Sequence, residues 1–170
     1  MKNLIYALLL AIVISACTTP EVPPQKFIFD KERTINKSFD DVWSGIISWF
    51  GDNNVQIKNI DKSSGIITSE KGMLAGWSES EYCDCGKPKH TVTDYTAKYE
   101  NITYNFNIII KKITDTSTKV KINIFYCSDE NVYSESPYII AHLIRSVPCI
   151  VDCNSNGFIE GKIFEELQKP

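Results

Sequence analysis

The sequence predicts an α+β domain: a curved antiparallel sheet with an N-terminal helix and a C-terminal helix packed on one face. Three observations carry this. From Phe39 to Phe50 apolar residues recur every three or four positions, the period of a helix face. From Val55 to Phe125 several short segments alternate apolar and polar residues with period two. After Gly157 the helical period returns once, at Ile159, Ile163 and Leu167.

In chain order, Phe27 to Asn36 reads as a first strand, with Phe27, Ile28, Phe29 and Ile35 apolar. Ser38 offers an N-cap oxygen, and Asp40 and Asp41 place negative charge at the positive end of the helix dipole. Phe39, Val42, Trp43, Ile46, Ile47, Trp49 and Phe50 form the apolar face of that helix. Gly51 and Asp52-Asn53-Asn54 stop it. Val55 to Ile60 and Ile66 to Glu70 are strands around the turn Asp61 to Gly65. Residues 71–91, with Gly72, Gly76, Gly86 and Pro88, are the least regular part. Strands follow at Thr93 to Glu100, Ile102 to Ile113 and Lys119 to Phe125, with Tyr104, Phe106, Ile108 and Ile110 sharing a face. In residues 137–151, Ile140, Leu143, Ile144 and Val147 fit one helical face, so the segment reads as a short helix ended by Pro148 and packed on the core, the alternative being an apolar contact surface for a partner or for the nearby membrane. The closing helix runs from about Gly157 to Lys169, with Phe164 beside its buried stripe.

Composition narrows the class. The 170 residues are 43% hydrophobic and 23% charged, which suits one globular domain. The formal charge is −3, and of 18 basic residues only Arg33 and Arg145 are arginines. Phosphate and guanine recognition favour arginine forks, so nucleic acid is not an expected partner.

The first residues read as an address. Met1-Lys2-Asn3 carries one positive side chain, and an apolar run from Leu4 to Ile14 is too short to span a bilayer. Ile14-Ser15-Ala16-Cys17 then resembles the lipobox of bacterial lipoproteins: an aliphatic residue, two small residues and a cysteine. The resemblance implies a signal peptide over residues 1–16 and a lipid attachment site at Cys17. Several acyl chains on that residue would give the stable membrane anchoring that one chain does not. Residues 17–26, with Pro20, Pro23 and Pro24, read as an extended tether, able to hold residues 27–170 about 25–30 Å off the membrane. Thr18 is not the aspartate that retains enterobacterial lipoproteins at the inner membrane. The expected location is the cell envelope, facing the periplasm from the outer membrane.

Ser38-Phe39-Asp40-Asp41-Val42-Trp43, followed by Asp61-Lys62-Ser63-Ser64-Gly65-Ile66, resembles the helix-grip units of BamC-like periplasmic lipoproteins. There a helix beginning F-D-x-V-W precedes a hairpin reading D-x-x-x-G-x-I. The segment from Cys153 to Glu160 is similar to the start of the closing helix in that group. The resemblance implies a helix-grip-like binding or scaffold domain with no catalytic residue, and this chain has room for one such unit.

Five further cysteines are disulfide candidates: Cys83, Cys85, Cys127, Cys149 and Cys153. Cys83 and Cys85 cannot easily bridge each other across one residue, so each reaches a distant partner. The preferred set joins Cys83 or Cys85 to Cys127, with either a Cys149–Cys153 bond or a second bond between the clusters. At least one bond should tie the Cys83/Cys85 loop to Cys127 or to the Cys149/Cys153 segment. Zinc held by these sulfurs and His90 is the competing arrangement, but C-x-C with C-x-x-x-C is not a standard zinc spacing. No metal or cofactor is expected. No nucleophile motif, zinc-protease motif or phosphate loop accompanies His90 or His142, so no catalytic residue is assigned and no enzyme is expected. Glu79, Glu81 and Asp84 beside Trp77 and Tyr82 would favour a cationic ligand or partner if they bind anything. The expected function is a membrane-anchored, non-enzymatic lipoprotein that binds a protein partner in the periplasm. The alternative is a carrier holding a small apolar ligand between sheet and helix, in a cavity lined by Trp43, Phe106 and Phe125.

Overall fold

The computed structural model describes residues 18–19, 21–74, 81–88, 90–91, 95–134 and 141–169. Its spine is one long hairpin, β8 (Tyr95–Thr114) and β9 (Ser117–Ser134), paired from Tyr95↔Ser134 to Thr114↔Ser117 with register shifts between Glu100 and Thr103 and between Lys112 and Thr114. Along the outer edge of β8 lie β4 (Ile66–Ser69), with β3 (Ile57–Asp61) outside it, then β5 (Gly72–Met73) and β7 (His90–Thr91). The outer edge of β9 carries β2 (Glu32–Ile35) at one end and β10 (Leu143–Ser155) at the other. Two short strands complete the described sheet: β1 (Thr18–Thr19) pairs with β7, and β6 (Cys83–Asp84) with β10. Every pairing is antiparallel.

The two helices are α1 (Phe39–Asp52) and α2 (Phe158–Gln168). The Ser38 hydroxyl oxygen accepts from the Asp41 N–H at 3.2 Å, so the expected cap is made. Val42, Trp43, Ile46 and Phe50 are the buried stripe of α1. Ile163, Phe164 and Leu167 are that of α2, with Ile159 half-buried. Both stripes join Phe106, Ile108, Ile110, Val120, Ile122 and Ile124 in one core. The coarse α+β expectation is therefore met: a large antiparallel sheet with two helices.

The turn from Asp61 to Gly65 shows why those residue types stand there. The Asp61 carboxylate accepts from the hydroxyls of Ser63 and Ser64 at 2.7 Å each, and these bonds hold its pKa down to about 2. Gly65 sits at φ +71°, and a Cβ there would lie 2.0 Å from the Ile110 carbonyl oxygen. Its own carbonyl accepts from Ile110 N–H at 2.7 Å. Lys62 pairs with Asp40 at 2.8 Å, so the two segments that carry the BamC-like resemblance meet in space.

Several expected elements differ. The first strand is shorter than Phe27 to Asn36; only Glu32–Ile35 pairs, and Ile28 is fully exposed. The two strands expected at Thr93 to Glu100 and Ile102 to Ile113 are one strand, Tyr95–Thr114, with a bulge at Asn101, φ 54°; residues 93–94 lie outside the described residues. The helix expected in residues 137–151 is instead the start of β10 where the structure describes it; Ile140 lies outside the described residues. Its three- and four-residue spacing arises by chance in a strand whose pairing with β9 supplies the backbone hydrogen bonds.

In chain order, the β8 residues that pair with even positions of β9 change at the bulge from odd (Ala97↔Val132, Tyr99↔Glu130) to even (Tyr104↔Tyr126, Phe106↔Ile124). Asp129 of β9 ties this region together. Its carboxylate accepts from Asn101 Nδ2 at 3.2 Å and from the Cys149 N–H at 2.9 Å. Cys149, φ 49°, is itself in a bulge of β10. Beyond this waist, the ends of β8, β9 and β10 form a three-stranded extension.

The segment expected as a tether is hydrogen-bonded to the body. Val22 and Lys87 exchange two backbone bonds at 2.9 and 2.8 Å. Gln25 N–H donates to Asp84 at 2.6 Å, and Asn154 Nδ2 donates to the carbonyls of Pro24 and Gln25 at 3.2 and 3.0 Å. No helix of the described residues is long and apolar enough to cross a membrane.

Candidate functional site: an aromatic cleft beside a buried sulfur cluster

An open cleft of about 530 Å³ lies where the end of α1, the start of α2 and the middle of β8 meet. α1 supplies Trp49 and β8 supplies Tyr104 and Phe106. Phe158, Ile159 and Lys162 come from α2, and Tyr82 from the loop before β6. The rings support one another edge-on: Trp49 on Phe106 at 5.7 Å, Tyr104 on Phe106 at 5.5 Å and Tyr82 on Phe158 at 5.5 Å. The loop is held to α2 by Asn156, whose Nδ2 donates to the Glu81 carbonyl at 2.8 Å and whose N–H donates to the Tyr82 carbonyl at 3.1 Å. Burial raises the pKa of the Tyr82 and Tyr104 phenols, so both stay neutral near neutral pH. Met73 and Phe158 are exposed and leave the cleft open to solvent. Its charged residues are Asp52, Glu81 and Glu166 against Lys162, and Glu166 also pairs with Lys169.

Such a site can bury apolar surface and favour positive charge at its edge. Of the expected cavity lining, Phe106 is here. Trp43 is packed under α1, 5.8 Å from Phe39, and Phe125 is exposed on the other face of the sheet. Of the expected acidic cluster, Glu81 lines the cleft. Asp84 instead accepts from the backbone of Gln25 and Gly86. Glu79 and Trp77 lie outside the described residues, as does Cys17. His90 pairs through its backbone in β7, and His142 is exposed. Sequence reading missed Trp49, Phe158 and Lys162 as cleft residues. Phe158 carried a signal, an aromatic off the buried stripe of its helix.

Beneath the loop lies a sulfur cluster. Cys85 is bonded to Cys153, which ties the Cys83/Cys85 loop to the Cys149/Cys153 segment as expected. The preferred pairing of Cys127 is overturned: Cys127 is bonded to Cys149. The pleat explains it. Cys153 stands opposite Tyr126 and shares its inward face, whereas Cys127, one residue on, points to the other side. The β10 bulge turns Cys149 back to meet it. Cys83 is a buried thiol outside both bonds, and the sulfurs of Cys83, Cys85 and Cys153 all lie within 4.8 Å of one another. With two of the three joined, the cluster is a disulfide beside a thiol.

Tyr126 and Glu160 are buried next to these sulfurs. Glu160 Oε2 accepts from the Ser155 hydroxyl at 3.0 Å, while its Oε1 and the Tyr126 hydroxyl have no hydrogen-bond partner among the described groups. Burial raises the Glu160 pKa, and the Ser155 bond opposes this only in part. The folded state therefore holds this proton more tightly than the unfolded state. The contribution of Glu160 to stability is therefore full below the ordinary carboxyl pKa and is lost as pH rises through the raised folded value. Glu160→Gln should remove that loss. Urea midpoints at about pH 4 and about pH 8 check it: the variant gains on wild type at the higher pH and not at the lower. An equal gap at both would show that Glu160 does not titrate between them.

Comparison of the chain with family models, with curated proteins and with solved structures finds no match in any of the three.

Proposed function

We propose that the chain is a non-enzymatic envelope lipoprotein, anchored through Cys17, that holds a protein partner at the aromatic cleft. The observation that carries the binding role is the cleft itself. Five rings converge on an open trough with three carboxylates and one amine among its lining residues. That lining favours an apolar or aromatic side chain flanked by basic residues. The open mouth suits a segment of another protein better than a ligand that must be sealed from water. The anchor rests on the lipobox resemblance, and an oxidising compartment fits the two disulfides. Two helices against one antiparallel sheet fit a single helix-grip unit of the BamC-like kind, and we read the domain so. On this reading the protein faces the periplasm from the outer membrane.

A photo-crosslinking amino acid in place of Met73, and separately in place of Ile113, tests the site in intact cells. Ile113 is exposed and stands in β8 away from the cleft. A discrete adduct is expected from position 73 alone. Glu81→Lys with Glu166→Lys should weaken it several-fold, and Lys162→Glu should not. Identical adducts from both positions would sink the cleft as the binding site. A small apolar molecule recovered by solvent extraction, with no protein adduct, would replace the partner by the carrier alternative.

A further inference from the structure

The amino-terminal segment ends at one extremity of the long hairpin. Thr18–Thr19 pairs with His90–Thr91, and Thr91 pairs with Tyr95, the first residue of β8. Tyr95 pairs in turn with Ser134 of β9, and Leu143 pairs with the adjacent Tyr133. Thr18, the first described residue, therefore stands at this end of the sheet. Three large apolar side chains are exposed there: Tyr95 at 49%, Leu143 at 54% and Ile144 at 55%. The segment is also fixed in direction by the Val22–Lys87 bridge and the bonds from Asn154. An anchor that precedes Thr18 would therefore leave the fold on the side of these residues.

We propose that this extremity is a membrane-contacting surface. Tyr95, Leu143 and Ile144 seat in the interfacial layer of the bilayer that takes the Cys17 acyl chains. The inference rests on the anchor reading above and adds an orientation to it. A tyrosine with aliphatic neighbours suits that layer, where one end of a ring is wet and the other apolar. A second copy of the chain is a poorer occupant. The β10 edge is bulged between Val147 and Val151 and carries Pro148, both of which obstruct strand addition. The Asp115 turn, at the other extremity of the hairpin, would then point away from the membrane.

The test uses the full-length lipidated chain in vesicles of phosphatidylethanolamine and phosphatidylglycerol, with and without nitroxide-labelled lipid. An environment-sensitive fluorescent amino acid replaces Tyr95 in one preparation and Asp115 in another. Quenching several-fold stronger at position 95 than at 115 is expected. Leu143→Asp with Ile144→Asp should at least halve the quenching at position 95, with acylation and circular dichroism unchanged. Mass spectrometry of the same samples separates the two readings. An unmodified Cys17 overturns the anchor and this orientation with it. An acylated Cys17 with equal quenching at 95 and 115, or with quenching untouched by the double substitution, overturns the contact surface alone. Quenching that grows with protein density at constant lipid would assign the surface to a second copy and overturn it too.

Discussion

Cys153→Ser should lower stability by about 4 kcal/mol, the loop-closure effect for the separation of 68 residues spanned by the Cys85–Cys153 bond. Breaking Cys127–Cys149, which spans 22, should cost about 3 kcal/mol on the same basis. The informative comparison is with Cys85→Ser. That variant keeps Cys83 and Cys153, whose sulfurs already lie within 4.8 Å. Refolded in air, it should form a Cys83–Cys153 bond and lose much less than Cys153→Ser does. Cys153→Ser has no such recourse, because Cys83 and Cys85 stand one residue apart. Urea midpoints and peptide mapping of the oxidised proteins decide it. Equal losses in the two variants, with no Cys83–Cys153 peptide, would show that the third sulfur cannot replace its neighbour.

That comparison also shows where the sequence was legible. Helices and paired strands could be read wherever the signal is local. Ser38 capping α1, the stripe from Val42 to Phe50 and the Asp61–Gly65 turn depend on neighbours in the chain, and all stand where they were expected. The pairing of sulfurs could be read only in part. Spacing shows only that Cys83 and Cys85 do not bridge each other, so that a bond ties their loop either to Cys127 or to the Cys149/Cys153 segment; the second is observed. That Cys127 takes Cys149 depends on which face of β9 it occupies and on a bulge in β10. Both are set by pairing with a strand more than ten residues away. The β10 segment was misread for the same reason: Leu143, Ile144 and Val147 fit a helical face, but β9 offers an edge that local spacing cannot reveal. The cleft was the least legible feature. Trp49 belongs to the apolar pattern of α1 like Trp43, and only the placement of α2 and the Tyr82 loop turns one toward the cleft and the other into the core.

Phe106→Ala should cost about 3–5 kcal/mol, within the range for removing a buried ring from a close-packed core. Phe106 is 1% exposed and is the ring on which Trp49, Phe50 and Tyr104 converge, at 5.7, 5.4 and 5.5 Å. Its loss would leave three aromatic side chains without a common support. The same ring is the floor of the cleft, so this variant should lose the partner adduct as well as stability. Phe158→Ala separates the two. That ring stands at the mouth, exposed, with its edge contact to Tyr82 and Lys162 Nζ 5.7 Å from its centroid. It contributes little to the core, and its removal should cost at most about 1 kcal/mol. If the cleft receives a partner's side chain, Phe158→Ala should nonetheless weaken the adduct several-fold while the denaturation midpoint barely moves. An unchanged adduct in Phe158→Ala, together with its loss in Phe106→Ala, would mean that binding follows the integrity of the fold and that the cleft is not where the partner sits.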